Sequence, residues 1–290
     1  MSTGVLITNY NNGPWIKACV DSVLAQTQSP NEVIVYDDGS TDDSISILRS
    51  YGERITLLEG IHDYTRSGRA SMAAGLAAAF AASSATHIYL LDGDDTYLPT
   101  HLAAYEGVWA TRPEAVAVQG PMLMTDESGR PPLLFHDVFR HDSDILDAIY
   151  RYHRTDCFYL TSALAFKRGF LDSAMPLLLR NSLGGAPDTI LFFYALFHGP
   201  ILSVPEAQTV YRARPNSLSD QDGLRSRLAI HETRFRNHCF NRIAADYGRA
   251  PVQAWRNFTY LQQLARLWLP PWLTLPLAKL KAARRRRNGG

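Results

Sequence analysis

Short apolar runs alternate with segments of helical periodicity through the first third of the chain. The runs have the length and residue types of buried strands, and a helical segment follows each of the first three. This alternation predicts βαβ crossovers and a mostly parallel sheet that is covered by helices on both faces. The predicted strands are residues 5–8, 32–36, 55–58 and 87–91, and the predicted helices are residues 15–26, 41–48 and 69–82, the second with Thr41 or Asp42 as its N-cap.

The pattern is less regular after Pro99. Residues 120–145 are rich in Pro, Gly, Asp and His, which is typical of loops or a small hairpin. From Leu224 onward the chain is helical in pattern and basic. The other elements predicted here are helices over residues 100–110 and 188–197 and strands over residues 115–119 and 162–167.

The charge of the chain is distributed unevenly. Residues 225–290 contain 14 Lys and Arg against 2 Asp and Glu, although the whole chain balances 29 against 28. An acidic body with a basic end suggests that the two ends meet different partners. Aromatic and leucine side chains recur at nearly helical spacing over residues 255–268, ahead of a basic cluster at residues 279–287. This combination is typical of peripheral attachment to an anionic membrane; the alternative is a helix packed on the body, with a free basic end.

Cysteine usage and hydropathy favour a reducing compartment. The three cysteines are scattered, without a CxxC pair, which argues against a disulfide framework and a zinc site. The apolar residues 5–7 are too few for a secretory signal, and no apolar run reaches about 18 residues, so we expect no membrane-spanning helix. We therefore expect a cytoplasmic protein, held peripherally at the inner face of the cell membrane.

The most informative chemistry follows the apolar run at residues 88–91, where Asp92, Asp94 and Asp95 place three carboxylates within four positions. Carboxylates this close raise one another's pKa unless a cation lies among them. Mg²⁺ and Mn²⁺ prefer oxygen ligands and can bind protein carboxylates and phosphate groups at the same time, so the cluster predicts a divalent-metal site. The alternative is a solvated acidic turn. Because Tyr10 and Asp38 also follow predicted strands, we expect all three motifs at one sheet edge, where open α/β sheets bind ligands.

Three motifs together resemble the family 2 glycosyltransferases of the GT-A fold. They are Thr8-Asn9-Tyr10-Asn11 with the helix after it, the segment over residues 32–42 that contains Asp37-Asp38-Gly39-Ser40, and Asp92-Gly93-Asp94-Asp95. The resemblance spans roughly residues 4–220 and implies a GT-A domain over residues 1–220, followed by a helical, basic extension over residues 221–290. It further implies inverting transfer of a sugar from a nucleotide-diphospho-sugar to an acceptor hydroxyl, with Mn²⁺ or Mg²⁺ as cofactor.

The resemblance assigns the nucleoside to Thr8, Tyr10 and Asp38. Tyr10 would line the plane of the base, and the Asp38 carboxylate can accept hydrogen bonds from a base N–H or a ribose hydroxyl. The alternative for residues 37–40 is a turn that ends a strand and caps the next helix.

The same resemblance assigns the metal to the acidic motif. Asp94 is the first candidate for direct ligation, with Asp92 and Asp95 on the metal or the ribose. A metal that bridges the two phosphates stabilises the negative charge that accumulates as the nucleoside diphosphate leaves.

Inverting transfer also needs a base to deprotonate the acceptor hydroxyl. The family often supplies it from a Glu-Asp pair that opens a helix; here Pro187 stands in place of the Glu, so Asp188 is the candidate. The alternative is that Asp188 is an N-cap. The two roles compete, because a capping carboxylate is stabilised as an anion and becomes a weaker base.

Arginines are candidates for the diphosphate. Residues 211–219 resemble a family segment that commonly has His where Arg214 stands, and Arg cannot ligate a cation but can pair with phosphate oxygens. We expect Arg214, with Arg212 beside it, to contact the diphosphate. Arg66 and Arg69 lie at the start of a predicted helix, whose N-terminus is suited to binding a phosphate, so they are also candidates for contacting the nucleotide. The alternative is that both are solvated surface residues.

Two other functions remain open. Residues 92–96 also fit the Asp-x-Asp-x-Thr motif of haloacid-dehalogenase-like phosphatases, with Asp92 as nucleophile and Asp94 as acid/base, but that interpretation leaves residues 8–11 and 37–40 unexplained. The second is a GT-A domain that binds a nucleotide but has no catalytic activity. It stays open because this chain has Pro187 and Arg214 at the positions where the family has Glu and His.

The expected partners follow from the resemblance and from the tail. They are a nucleotide-diphospho-sugar donor, a glycan or glycolipid acceptor that residues 120–145 would face, and a membrane contacted by the C-terminal tail. The setting would be cell-surface polysaccharide or glycolipid synthesis. We expect no nucleic acid, because the terminal Arg run lacks interleaved aromatic residues.

Overall fold

The computed structural model describes residues 1–125, 132–135, 145–155, 160–180, 185–213, 225–257 and 260–261. Within these ranges the chain forms a seven-stranded sheet with helices on both faces, and a smaller four-stranded sheet. The predicted α/β class is therefore confirmed.

The elements of the described residues are as follows. The strands are β1 Thr3–Asn9, β2 Glu32–Asp37, β3 Thr56–Glu59, β4 His87–Asp92, β5 Thr96–Tyr97, β6 Ala117–Gln119, β7 Met122–Thr125, β8 Leu133–Phe135, β9 Leu164–Lys167, β10 Ile201–Ser203 and β11 Thr209–Arg212. The helices are α1 Gly13–Leu24, α2 Ser44–Arg49, α3 Gly68–Ala82, α4 His101–Thr111, α5 Ile145–Tyr152, α6 Arg168–Arg180, α7 Pro187–Ala195 and α8 Arg225–Asp246.

The large sheet has the order β10-β6-β9-β4-β1-β2-β3. Its described pairings are parallel except those of β9, which runs antiparallel to both β4 and β6. The small sheet has the order β5-β11-β7-β8, and β11 lies parallel to β7 and antiparallel to β5. Since β1 is paired with β2 on one side and β4 on the other, the carboxyl ends of these three strands lie side by side.

Alternate residues of the central strands face two separate cores. Val5 and Ile7 of β1 pack with the buried faces of α1, α2 and α4, while Leu6 packs with α3, α6 and α7. The same alternation holds on β4, where Tyr89 and Leu91 face the first of these cores and their neighbours face the second. Strands buried on both faces have continuous apolar runs, which is why the sequence predicted them well.

Most predicted elements are confirmed, with shifts at their ends. The first helix begins at Gly13 because Pro14 occupies its first turn, where the fixed backbone angle of proline is pre-organised. The N-cap predicted for α2 was wrong: Asp43 holds that position, and the Asp42 side chain instead accepts the Ser44 N–H at 3.0 Å. The small hairpin predicted within residues 120–145 is present as β7 and β8. The sequence did not predict α5, α6, β5, β10 or β11.

Helix α8 packs on the body of the molecule. Cys239, Phe240, Ile243 and Ala244 are buried in the same core as α3, α6 and α7. Trp255, which follows α8, is 65% exposed. The basic cluster of the tail lies outside the described residues, so the membrane contact and the domain division at residue 220 stay predictions. None of the helices in the described part of the chain is both long and apolar enough to cross a bilayer.

Candidate functional site

The carboxyl end of β1 lies between the ends of β2 and β4. Thr8 pairs in register with Tyr36 on β2 and with Asp92 on β4, and its hydroxyl donates to Asp92 Oδ1 at 3.3 Å. The Asp38 N–H donates to Asn9 O at 2.9 Å. Asp38 and Asp92 therefore flank the end of one strand, at the edge where open α/β sheets bind their ligands.

The acidic turn after β4 is held by hydrogen bonds from two other segments. Ser162, in the turn before β9, accepts the Asp92 N–H at 3.0 Å and donates its hydroxyl to Asp95 Oδ2 at 2.6 Å. Arg212, at the end of β11, donates its backbone N–H to Asp95 Oδ1 at 2.8 Å and its Nε–H to Asp94 O at 3.2 Å. Both oxygens of the buried Asp95 carboxylate thus accept hydrogen bonds from the protein, which tie the turn to both sheets.

Gly93 lets this turn pass close to β1. A Cβ added there would lie 2.5 Å from Asn9 Oδ1 and 3.1 Å from Asn12 Nδ2. Asn9 in turn donates its Nδ2–H to Asp37 Oδ2 at 2.6 Å. A side chain at position 93 would therefore push the turn away from the paired ends of β1 and β2.

The carboxylates of the turn repel one another. Burial, together with the charges of Asp95, Asp94 and Asp188, raises the pKa of Asp92 well above its ordinary value. Burial and the charge of Asp94 raise the pKa of Asp95 to about 7, against the hydrogen bonds that its carboxylate accepts. A bound cation would relieve this repulsion, because a nearby opposite charge favours the ionised form of a carboxyl group.

The side chains at the turn fit a hard divalent cation as part of a ligand set. Carboxylate oxygens are the ligands that Mg²⁺ and Mn²⁺ prefer. Among the residues that the structure describes, no group of three His, Cys, Asp or Glu side chains is placed to hold a metal ion by itself. A cation at this turn would therefore need further oxygen ligands, and bound phosphate groups commonly supply them to Mg²⁺.

Asp188 opens α7 and is not its N-cap. Ala186 holds the cap position, and the Asp188 Oδ1 atom accepts hydrogen bonds from the Thr189 N–H at 2.5 Å and the Thr189 hydroxyl at 3.2 Å. Burial raises the pKa of the Asp188 carboxyl, and the positive charges of Arg236 and Arg69 oppose that shift. The alternative that Asp188 is the N-cap was therefore wrong, although its carboxylate does accept the backbone N–H of Thr189.

The beginning of α7 lies next to the end of β1. Thr8, Met72, Thr161 and Pro187 line a cavity of about 10 Å³, together with leucines of β1, α3 and β4. A space of this size holds at most about one water molecule. Asp188, which follows Pro187 and influences the pKa of Asp92, therefore belongs to the same edge of the sheet as the acidic turn.

Tyr10 and Asp38 share a third partner that the sequence analysis missed. The His62 ring stacks on Tyr10, with 4.2 Å between ring centroids and 14° between ring planes. Its Nδ1 atom lies 2.6 Å from Asp38 Oδ2. Its position along the chain could have identified it, because His62 lies shortly after the end of β3, as Asp38 lies after β2 and Asp94 after β4.

The structure describes three of the four predicted arginines, Arg66, Arg69 and Arg212. The Arg69 guanidinium lies 4.8 Å from the centre of the Phe235 ring on α8 and acts electrostatically on Asp188. The Arg66 Nε atom lies 3.1 Å from Asp63 Oδ2 in an exposed pair. Arg214 lies outside the described residues. Ser162, which binds two of the three acidic residues, was not identified from the sequence because its neighbours carry no motif.

Residues 4–175 match the sequence model of a family described as Glycosyl transferase family 2. This match covers more than half of the chain, so the chain belongs to glycosyl transferase family 2, as the three motifs predicted.

A relative from Nostoc sp., named "Uncharacterized glycosyltransferase alr2836", is 29% identical over 221 residues. The alignment covers 73% of this chain and 65% of the relative. The chain therefore spans less than two thirds of that relative's length.

Two solved structures share the fold. The structure of S. aureus TarS 1-349 in complex with UDP-GlcNAc superposes with a TM-score of 0.60 and 15% identity, over 92% of this chain and 73% of that one. The mannosyltransferase PcManGT from Pyrobaculum calidifontis, in complex with GDP-Man and Mn²⁺, gives a TM-score of 0.53 and 19% identity, over 99% and 76% of the two chains. At these identities the likeness concerns the fold alone, and the predicted GT-A fold is confirmed.

Proposed function

We propose that this chain is a metal-dependent inverting glycosyltransferase, which moves a sugar from a nucleotide-diphospho-sugar to an acceptor hydroxyl. The observation that carries the proposal is the placement of Asp38 and Asp92 on the two sides of the β1 carboxyl end, where Asp38 is hydrogen-bonded to Asn9 and Asp92 to Thr8. The solved neighbours, whose complexes contain UDP-GlcNAc and GDP-Man, support a nucleotide-sugar as the donor.

The nucleoside is assigned to the β1–β2 side of this edge. The Tyr10 ring offers a flat surface for a base, and base–aromatic stacking contributes about 1–3 kcal/mol per base. The Asp38 carboxylate accepts hydrogen bonds from a base N–H or a ribose hydroxyl. Thr8, between them and the acidic turn, keeps the two halves of the site in register.

The diphosphate and its cation are assigned to the β4 side. Asp94 and Asp92 are the proposed metal ligands, and a bound Mn²⁺ or Mg²⁺ would supply charge stabilisation to the departing diphosphate. Asp95 is better suited to holding the turn, since both of its carboxylate oxygens accept hydrogen bonds from Ser162 and Arg212. Among the residues that the structure describes, Arg212 places its guanidinium beside the Asp94 carbonyl. This positive charge is suited to pairing with a phosphate oxygen.

Asp188 is the proposed general base. Its buried carboxyl has a raised pKa, which makes it a better proton acceptor than an exposed aspartate. A base near the acidic turn can take the proton of the acceptor hydroxyl as that oxygen attacks the anomeric carbon. Because a single attack opposite the leaving group inverts that carbon, one base is sufficient.

The biological setting is proposed from analogy with the family. We propose a role in cell-surface polysaccharide or glycolipid synthesis at the cytoplasmic face of the membrane. The acceptor would be a glycan or glycolipid, and the basic tail would provide the peripheral contact.

A panel of nucleotide-sugars that includes UDP-GlcNAc and GDP-mannose tests the proposal. The full chain is incubated with each donor and a mixture of candidate acceptors, with Mn²⁺ or with EDTA, and the released nucleoside diphosphate is measured. Mn²⁺-dependent release with at least one donor supports the proposal. Thermal stabilisation by a nucleotide without any turnover would instead favour the catalytically silent domain, and Mn²⁺-independent turnover would contradict the assigned metal.

A further inference from the structure

The loop after β3 places an aromatic ring where the proposed function requires the base. His62 makes the two contacts assigned to a nucleobase, a stack on Tyr10 at 4.2 Å and a hydrogen bond to Asp38 at 2.6 Å. Tyr64 packs edge-on against the same ring, at 4.6 Å between centroids. A base that stacks on the same face of Tyr10 and bonds to the same oxygen of Asp38 would therefore occupy the space of the His62 side chain.

The contacts of His62 also indicate which bases can replace it. The Asp38 carboxylate only accepts hydrogen bonds, so the His62 Nδ1 atom that faces it carries the hydrogen. Uracil and guanine carry a ring N–H on the edge used in base pairing and can therefore reproduce both contacts. Cytosine and adenine lack that ring N–H and offer a carboxylate only their exocyclic amino group, which lies at a different position on the edge.

The His62 side chain can leave this position without unpacking a core. Its neighbours Ile61 and Tyr64 are 92% and 78% exposed, so the loop is held by few apolar contacts. The loop begins at a fixed point, where the Gly60 N–H donates to Asp37 O at 2.7 Å. Gly39 has a φ of +71°, and a Cβ added to it would lie 2.7 Å from the His62 N atom, so the main chain at His62 stays close to the turn that carries Asp38.

We propose that His62 occupies the nucleobase position of the ligand-free protein and that a nucleotide displaces its side chain on binding. His62 thereby lowers the affinity for every nucleotide by the same factor. Uracil and guanine bind best, because their ring N–H restores the hydrogen bond to Asp38 and their ring restores the stack on Tyr10. This inference rests on the proposed function, since it takes Tyr10 and Asp38 as the nucleobase site. It predicts that removing the imidazole strengthens binding, which is the opposite of the effect expected for a residue that contacts the bound base.

Binding measurements on the full chain test the displacement. UDP, GDP and CDP are titrated in the presence of Mn²⁺ into wild type, His62→Ala and His238→Ala, the last being a matched loss of an exposed histidine on α8. With UDP or GDP, whichever wild type binds more tightly, we expect His62→Ala to bind roughly tenfold more tightly, because a hydrogen bond and a stack no longer have to be broken. His238→Ala is expected to match wild type, and CDP to bind wild type more weakly than UDP.

Affinity that is unchanged or weakened in His62→Ala would overturn the displacement, since the ring would then be indifferent to the base or pack against it. CDP binding as tightly as UDP would overturn the preference for a ring N–H. If all three proteins are folded but none binds any nucleoside diphosphate, the result would instead contradict the proposed function, and therefore also this inference.

An NMR measurement on the unmodified protein keeps the test independent of the variant's folding. The ring C–H signals of His62, identified by their loss in His62→Ala or by sequential assignment, should be shifted upfield by the Tyr10 ring. Saturation with the binding nucleotide should move them towards the values of an exposed histidine. Signals that stay in place while nucleotide is bound would refute the displacement.

Discussion

Ser162 donates its hydroxyl hydrogen to Asp95 Oδ2 at 2.6 Å, and through this contact a buried serine before β9 holds the acidic turn of β4. The Ser162 Oγ atom also accepts the Asp92 N–H at 3.0 Å, so one hydroxyl bridges the two ends of the turn. The proposed metal ligands are thus positioned by a residue of the turn that leads into β9, the strand that runs antiparallel to β4.

Replacing Ser162 with alanine should destabilise the protein and slow the reaction. Both hydrogen bonds are lost and two buried polar atoms are left without this partner, which costs about 1–3 kcal/mol. We expect a lower melting temperature and a lower kcat, with a smaller change in nucleotide affinity, because Tyr10 and Asp38 lie on the other side of β1. Ser173→Ala removes an exposed serine whose hydroxyl binds only a carbonyl of its own helix, and serves as the control. Equal effects of the two substitutions would contradict this role of Ser162.

Asp94→Asn should remove most of the metal-dependent activity. The amide keeps the size of the side chain but loses the charge that would bind a cation, and loss of a comparable electrostatic contact lowers kcat by about 100-fold or more. Activity is measured as nucleoside diphosphate release over a range of Mn²⁺ concentrations. Asp172→Asn, at an exposed position of α6, should leave the Mn²⁺ dependence unchanged. An Asp94→Asn protein that retains full activity at the same Mn²⁺ concentration would exclude Asp94 as a ligand.

The activity should rise with pH as Asp188 ionises. A base acts in its ionised form, and burial raises the pKa of this carboxyl, so the acidic limb of the rate profile should lie at higher pH than for an exposed aspartate. Asp188→Asn should lower kcat by roughly 10²- to 10⁴-fold and abolish that limb. A pH–rate profile of both proteins checks the assignment, and persistence of the limb in Asp188→Asn would assign it to another group.

The same shift predicts an effect on stability with the opposite sign. A carboxyl whose pKa is raised in the folded state disfavours folding once the unfolded chain ionises, so its contribution to stability falls as pH rises. Asp188→Asn should therefore gain stability relative to wild type as the pH is raised from 4 towards neutrality. Thermal unfolding at a series of pH values tests this, and a difference that does not change with pH would contradict it.

Deleting residues 270–290 should move the protein from the membrane pellet to the soluble fraction. The basic cluster lies in this segment, and its attraction to anionic lipids falls when salt screens it. Raising the salt concentration should therefore release a fraction of the full chain from the membrane. A variant with alanine at residues 284–287 should be released at a lower salt concentration. An unchanged distribution of the deleted protein would count against membrane attachment by the tail.

Local sequence was sufficient for the elements whose residues carry their own pattern. The apolar runs of β1, β2 and β4 are continuous because these strands are buried on both faces, and polar residues at their ends mark the ligand-binding edge. The short strands β5, β10 and β11 were not predicted from the sequence. Their strand conformation depends on partners that are distant in sequence, as β11 depends on β7.

The amino-acid sequence by itself therefore determined the α/β class, the family and the edge of the sheet at which Tyr10, Asp38 and Asp92 lie, since each follows from local pattern and strand order. Only the tertiary structure decided that Ser162 and Arg212 bind the Asp95 carboxylate and that the His62 ring covers Tyr10. Those contacts join residues that lie 52 to 117 positions apart along the chain. Their existence depends on how the sheets and loops pack, and no spacing along the chain encodes it.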